Sequence, residues 1–175
     1  MTGYTCKTCG VYHEELPYSD GSPAPDIVFS MDEEERNRRV LLLSSDQCVI
    51  KGRKLFDEKN YFILGNIDIP IIDSKDIFRW SVWVSLSKVN YDRTARLWNT
   101  LGREEEPPYF GWLSTLLHVY HPSTINLKTN IHTNPVGMRP FVELEPTDHP
   151  LAMEQRKGIT LARVQEIAEI ILHSR

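Results

Sequence analysis

Apolar and polar residues alternate most regularly between residues 78 and 86, where the sequence predicts a β-strand. Phe78, Trp80, Val82, Val84 and Leu86 fall on one face of that strand, because successive side chains of a strand point to opposite sides. Shorter alternating segments predict further strands at 48–50, 61–64, 67–72, 124–131 and 140–145. The pattern therefore predicts a sheet with one apolar face.

Three features modify this pattern. Trp83 falls on the polar face of the predicted strand, which makes it a candidate recognition residue, since tryptophan often anchors interfaces. Pro70 has no backbone N–H to donate, so its strand is expected at an edge or with a bulge. The aromatic segment 109–112 follows a charged loop and is expected to cover the core.

The helical pattern is clearest at 160–173, where an apolar stripe is expected to pack on a sheet face that includes some of Trp80, Val82 and Val84. The stripe consists of Leu161, Val164, Ile167, Ala168, Ile171 and Leu172. Ser30 and Glu33 fit a capping box for a helix at 31–39, and Ser87 is the predicted N-cap of a helix at 88–99. Strands in runs with helices before, between and after them favour an α+β fold with a mainly antiparallel sheet and flanking helices.

Composition restricts the class of protein. The formal net charge is −4, with 41% hydrophobic and 25% charged residues, so no basic field attracts nucleic acid or an anionic membrane. No apolar segment approaches the roughly 20 residues of a membrane span. Three cysteines do not suggest a disulfide framework. These features predict a cytoplasmic protein that binds neither nucleic acid nor membrane.

The N-terminal segment has the spacing of a metal-binding knuckle. Cys6 and Cys9 are separated by two residues and followed by Gly10, a pattern typical of structural zinc sites. A redox role is less favoured, because a redox pair of this spacing usually follows a strand at a helix N-terminus. A closed zinc site needs two more ligands, and His13 and Cys48 are the candidates, with His149 as the substitute for either. Cys48 could equally be a small core residue, since free cysteine is among the most buried residue types. The sequence thus predicts a zinc-knuckle head at 1–17 and an α+β domain at 18–175, with a linker at 18–26, the head and domain forming one compact unit.

The polar segment between residues 128 and 155 is the candidate functional surface. Its main members are Lys128, His132, Arg139, Glu143, Asp148 and His149. Asp148 and His149 lie between Pro146 and Pro150, and we expect them at the rim of any site beside His132 or Arg139. An acid/base site requires these side chains to converge. The alternative is a set of solvated strand faces with a structural turn. His118 and His121 are interpreted as part of a surface turn, since Pro122 follows directly.

Taken together, several segments resemble an uncharacterised, mainly bacterial family, domain of unknown function 2199. They are Tyr4 to Gly10 with His13, Asp46 to Val49, Trp83 to Leu86, Glu105 to Leu113, Asn126 to Thr129 with His132, Glu143 to Leu151, Glu154 to Arg156, and Gly158 with Ile159. The resemblance spans nearly the whole chain. It implies a protein without an established activity, so it supplies no catalytic residues.

The leading functional hypothesis is a zinc-stabilised intracellular module that binds another protein. No nucleophile elbow, phosphate-binding glycine loop or H-E-x-x-H motif is present in the sequence. The alternative is an enzyme with an acid/base or second metal site in the 128–155 segment. A deep pocket into which those side chains converge would favour the enzyme, and an exposed apolar surface would favour the binding module.

Overall fold

The computed structural model of the protein describes residues 3–53 and 58–174. The strands are β1 (Tyr4–Thr5), β2 (Tyr12–His13), β3 (Ser19–Gly21), β4 (Val40–Leu43), β5 (Gln47–Lys51), β6 (Lys59–Pro70), β7 (Ile77–Leu86), β8 (Tyr109–Leu113), β9 (Lys128–His132) and β10 (Phe141–Leu144). The helices are α1 (Asp26–Phe29), α2 (Glu33–Arg39), α3 (Lys88–Leu97), α4 (Pro150–Lys157) and α5 (Leu161–Ser174), with a 3₁₀ turn at Arg103–Glu105. The predicted combination of sheet and helices is confirmed.

Strands β6 to β10 form a closed barrel, which the sequence did not predict. Each strand pairs antiparallel with the next along the chain, and β10 then pairs with β6. Because an odd number of strands alternates in direction, the fifth runs the same way as the first, and the closing pair is parallel. Asn66 donates its backbone N–H to the Pro140 carbonyl at 2.9 Å at this closure. The sheet is therefore antiparallel except where β10 meets β6 and where β3 joins β7.

Gly65 allows the barrel to close. A Cβ atom at this position would lie 2.6 Å from Val142 Cγ2 and 3.0 Å from the Pro140 carbonyl oxygen. Two strands were predicted at 61–64 and 67–72, but the chain continues through Gly65 as the single 12-residue strand β6. That prediction was wrong because the glycine provides close approach rather than a turn. Pro70 is the last residue of β6, where its missing N–H is tolerated.

The main hydrophobic cluster fills the barrel and the space beneath α5. It includes Trp80, Val82 and Val84 of β7 together with Val164 and Ile167 of α5, as predicted for the apolar stripe. The exception is Leu172, which is 47% exposed at the edge of the stripe in the last turn of α5. Tyr4, Cys6 and Leu16 from the N-terminal segment belong to the same cluster. The boundary between head and domain at residue 17 remains a prediction.

A second cluster lies between the β5–β6–β7 surface and the short helices α1 and α2. Trp83 is only 1% exposed there, and its indole Nε1 donates to the Ser22 carbonyl at 2.9 Å. The expectation of a recognition role for Trp83 was wrong, since α1 and its flanking residues cover the face that looked polar.

Conversely, segment 109–112 is part of the barrel strand β8, and its outward residues Phe110 and Trp112 are 46% and 41% exposed.

Of the two predicted helix N-caps, the one for α2 was wrong and the one for α3 is confirmed. The N-cap of α2 is Asp32, which accepts from the Glu35 N–H at 2.7 Å, whereas the Ser30 hydroxyl donates to the Ile27 carbonyl. The proposed capping box is therefore wrong. Ser87 caps α3 as predicted, accepting from the Asn90 N–H at 3.2 Å.

Three other segments differ from their predictions. The predicted linker at 18–26 contributes β3 to the sheet and contains the start of α1. Strand β9 begins only at Lys128, because the preceding residues form a loop in which the buried Thr124 hydroxyl donates to the Thr115 carbonyl at 2.8 Å. Helix α4 was not predicted. Among the described residues, no helix combines the length and apolar character needed to cross a membrane.

Candidate metal centre

The N-terminal hairpin of β1 and β2 positions the two cysteine thiols. The Cys6 N–H donates to the Val11 carbonyl and the Gly10 N–H donates to the Cys6 carbonyl, both at 2.9 Å. Gly10 has φ +74°, a left-handed conformation that glycine adopts without a Cβ penalty. The tight turn between these bonds brings Cys6 and Cys9 to one side of the hairpin.

The C-terminal helix α5 supplies a third donor. His173 Nε2 lies 3.2 Å from Cys6 Sγ, and the ligand atoms of Cys6, Cys9 and His173 all lie within 4.8 Å of one another. One turn earlier on α5, Glu169 accepts the Lys7 backbone N–H at 2.9 Å. The same helix therefore provides a donor atom and fastens the knuckle backbone beside it.

Local hydrogen bonds favour the thiolate form of Cys6. Burial raises the pKa of this thiol, but the backbone N–H groups of Cys9 and Thr8 and the His173 ring outweigh that effect and lower the pKa to about 7. A thiolate is the form of cysteine that binds metals. The Cys6, Cys9 and His173 side chains can therefore hold a metal ion.

Two buried polar atoms near this cluster lack hydrogen-bond partners within the described residues. They are the Tyr4 hydroxyl and His13 Nε2, and the two rings stack with centroids 5.0 Å apart. Burial raises the pKa of Tyr4, and the neighbouring Cys6 and Glu169 raise it further. Unsatisfied buried groups of this kind often mark an ion or water, so the surroundings of the cluster fit a bound metal.

Two other predicted ligands, Cys48 and His13, do not belong to the group formed by Cys6, Cys9 and His173. Cys48 is fully buried in the second hydrophobic cluster, and burial raises the pKa of its thiol to about 12. It opposes Phe62 in the pairing of β5 and β6 and behaves as a small core residue. His13 lies on the same hairpin as the cysteines but is not one of the three converging donors.

His149 has a structural position instead. It is the N-cap of α4: its Nδ1 accepts from the Leu151 N–H at 3.2 Å, and its Nε2 donates to the Pro122 carbonyl at 2.9 Å. Both ring nitrogens are thus engaged. Its ring faces Tyr120, at a centroid distance of 6.5 Å, while the neighbouring Asp148 is exposed.

The remaining residues of the predicted functional surface lie in different parts of the structure. His132 Nε2 and Glu143 Oε2 lie 2.8 Å apart on exposed positions of β9 and β10. Lys128 is exposed at the other end of β9. Arg139 pairs with Asp46 at 2.7 Å and lines a cleft beside the barrel. The structure brings His132 to Glu143 but does not gather the set around one cavity.

Sequence reasoning missed His173. The two cysteines signalled that further ligands were required, and the chain offers six histidines. However, His173 follows Cys6 by 167 positions, and nothing in the local sequence connects the two ends of the chain. Only the packing of α5 beside the hairpin brings them together.

Comparison with known proteins assigns a family. The sequence model described as "Uncharacterized protein conserved in bacteria (DUF2199)" matches residues 5–159. The chain belongs to this family. Cys6 and Cys9 lie within the matched residues, whereas His173 lies beyond them. No curated protein and no solved structure matches the chain.

Proposed function

We propose that this DUF2199 protein holds a zinc ion through Cys6, Cys9 and His173 and acts in the cytoplasm as a module that binds another protein. The convergence of three donor atoms from the two ends of the chain carries the metal part of the proposal. Two thiolates and one imidazole are a soft donor set that suits zinc. An ion there would tie the N-terminal hairpin to α5.

His13 is the proposed fourth ligand. Structural zinc sites usually have four protein donors, and His13 Nε2 is buried without a partner among the described residues. It lies on β2 opposite Tyr4 of β1, on the hairpin that carries both cysteines. A turn of its ring upon metal binding would satisfy this nitrogen.

The cytoplasmic location is proposed from the cysteine chemistry. Cys6, Cys9 and Cys48 are all free thiols in the structure, and thiolate ligands persist best where the compartment is reducing. The family is described as conserved in bacteria, so the proposed compartment is a bacterial cytoplasm.

Metal analysis of untagged protein tests the zinc site. We expect about one zinc per chain, because the three donors form one group. Cys9→Ser and His173→Gln should each release most of the zinc, and His13→Gln should weaken its binding. The matched controls Cys48→Ser and His149→Gln should retain it, since those side chains lie outside the cluster.

A zinc content far below one per chain in the wild type, with freely titratable thiols, would refute the metal proposal. Zinc retained in His173→Gln but lost in His149→Gln would place the third ligand elsewhere. Unchanged affinity in His13→Gln would leave the fourth position to water or to a partner.

The proposed partner surface is the edge strand β4. Within the described part of the chain, β4 pairs only with β5, so its other edge presents unpaired backbone groups. Its residues Leu41, Leu42 and Leu43 are 51%, 40% and 45% exposed. An apolar edge of this kind is suited to receiving a strand from another protein.

The enzyme alternative receives less support from the arrangement of the 128–155 segment. An acid/base site needs its groups around one substrate position, but both ring nitrogens of His149 are occupied by backbone groups. His132 and Glu143 form an exposed pair on the barrel surface, an arrangement equally typical of a solvated salt bridge.

Affinity capture from a bacterial lysate tests the partner surface. A charge at the apolar edge should prevent strand addition, so Leu42→Lys should lose proteins that the wild type retains. Val89→Lys is the matched control, because Val89 is 75% exposed on α3. Equal capture by all three proteins would refute the role of β4.

A further inference from the structure

A cleft lies beside the barrel, at the closure of β10 on β6. Its volume is about 620 Å³, which is within the usual range for small-molecule sites. Asn66 and Asp68 of β6, Arg79 of β7 and the loop from Asn134 to Arg139 form its sides. The cleft is separate from the cysteine cluster, none of whose members lines it.

The loop wall of the cleft is held by a buried arginine. Arg103 is 6% exposed and donates to the carbonyls of Trp98, Asn134, Pro135 and Met138 at 2.7–3.0 Å. Three of these carbonyls belong to the loop from Asn134 to Arg139, so one guanidinium preorganises the loop before any ligand arrives, which lowers the entropy lost on binding.

The same arginine brings a positive charge that is not balanced by a carboxylate. Its four hydrogen bonds all go to neutral carbonyl oxygens, and it forms no salt bridge within the described residues. The guanidinium also lies over the Trp98 ring, 5.2 Å from its centroid. The carbonyls and the ring stabilise the buried charge only in part, because no opposite charge in the described part of the chain neutralises it. An anionic group in the cleft would compensate it, although Arg103 has used four of its five N–H donors.

Arg139 can contact an anionic group in the cleft directly. Its Nε donates to Asp46 Oδ1 at 2.7 Å, and its other N–H groups have no hydrogen-bond partner within the part of the chain that the structure describes. Arg79 is less available, because it makes a bidentate pair with Asp68 at 2.6 and 2.9 Å. The lining thus contains three arginines and two aspartates, an excess of positive charge.

Apolar side chains complete the cleft. Trp98, Val136, Met138 and Phe141 line it together with the charged groups. We propose that the cleft binds a small organic anion, whose carboxylate or phosphate group lies near Arg139 and whose apolar portion contacts Trp98 and Met138. Arginine suits both anionic groups, because its planar guanidinium presents paired donors.

Titration of the full-length protein with three probes tests this site. Benzoate carries a carboxylate on an apolar ring, benzamide is its neutral analogue, and inorganic phosphate is the anion without an apolar portion. We expect saturable perturbation of the Trp98 indole NMR signal by benzoate and at least tenfold weaker binding of benzamide. Phosphate binding of similar strength would assign the site to phosphorylated molecules, and benzoate binding alone would assign it to carboxylates.

Two variants that break the same ion pair distinguish ligand contact from structural damage. Arg139→Gln should weaken benzoate or phosphate binding about tenfold or more, the usual effect of losing one charge-assisted hydrogen bond. Asp46→Asn also removes the Arg139–Asp46 pair, but it should retain or tighten binding because it removes a negative charge from the cleft.

Arg38→Gln is the control for loss of an exposed arginine, since the Arg38 side chain is 67% exposed on α2. It should leave binding unchanged. No saturable binding of either anion at millimolar concentration would overturn the proposal. Benzamide binding equal to benzoate, or parallel loss of binding in Arg139→Gln and Asp46→Asn, would also overturn it. Zinc content is measured alongside, so failure here is distinguishable from failure of the metal site.

Discussion

The barrel core and the N-terminal hairpin are held by different interactions. In the barrel, Ile67, Trp80, Val82 and Ile131 are at most 1% exposed, so burial of apolar surface stabilises it without any ligand. In the hairpin, by contrast, the Tyr4 hydroxyl and His13 Nε2 are buried without partners among the described residues. A strand pair of two residues on each side is too short to be stable alone.

The two ends of the chain meet beside the barrel. The hairpin contributes Tyr4 and Cys6 to the main cluster, and α5 contributes His173 to the group of three side chains that could hold a metal ion. If the proposed zinc is bound there, the barrel should persist when it is removed, whereas the hairpin should not.

The largest effect is expected from the core face of α5. Ile167 is fully buried, so Ile167→Ala should lower the free energy of unfolding by about 2–5 kcal/mol through lost burial and a cavity. Ile170→Ala on the same helix is the control: Ile170 is 40% exposed, and the change should stay within about 0.5 kcal/mol. Urea denaturation measures both, and equal effects would mean that α5 does not pack as described.

Metal removal should act on the hairpin. If the protein is saturated at roughly 100–1,000 times the Kd for zinc, chelation should lower the free energy of local opening by about 3–4 kcal/mol. Hydrogen exchange should accelerate at the Cys6 and Gly10 amides, whose hydrogen bonds form the knuckle. The amides of β6 and β7 should stay protected.

Two results would contradict this view. Unchanged exchange at the knuckle would show that the hairpin does not need the ion. Loss of protection in β6 and β7 would show that the barrel is not independent of it.

The barrel closure should be sensitive to a single methyl group. Gly65→Ala would place a Cβ atom 2.6 Å from Val142 Cγ2, and such overpacking costs about 1–3 kcal/mol. Adding Val142→Ala should recover part of this loss, since the two positions are in contact and their effects are not additive. Strict additivity in thermal or urea denaturation would mean that the strain lies elsewhere, at the Pro140 carbonyl.

The smallest effect concerns how acid lowers the stability of the protein through the ion pair between Arg93 and Glu106. Hydrogen bonds from Arg93 and Tyr109 lower the pKa of Glu106 from its ordinary 4.5 to about 2. The folded state therefore binds this proton less readily than the unfolded state does. The stabilisation is present above about pH 4.5 and is lost as the pH falls to about 2.

Glu106→Gln should remove this part of the acid dependence. Urea denaturation across that range should give a shallower decline for the variant than for the wild type. An identical decline of the free energy of unfolding in both proteins would show that Glu106 does not contribute to the acid dependence. The proposed zinc content should be unchanged, because Glu106 does not belong to the group of Cys6, Cys9 and His173.

Features that depend on neighbouring residues could be predicted from the sequence alone. The alternation at 78–86 predicted β7, the stripe on α5 predicted its buried face, and the Cys6–Cys9 spacing predicted the paired thiols. Each of these follows from the period of a strand or helix, or from a short turn. The matching segments also identified the family that the comparison shows.

Features that join distant residues could not be predicted from the local sequence and follow from the tertiary packing. Closure of β10 on β6, the covering of Trp83 by α1, and the meeting of Cys6 with His173 all depend on long-range packing. The period of a strand indicates that it has two faces but not what covers each face, so Trp83 appeared exposed. Likewise, the cysteine spacing indicates that a metal needs further donors, but the orientation of α5 in three dimensions selects which histidine reaches it.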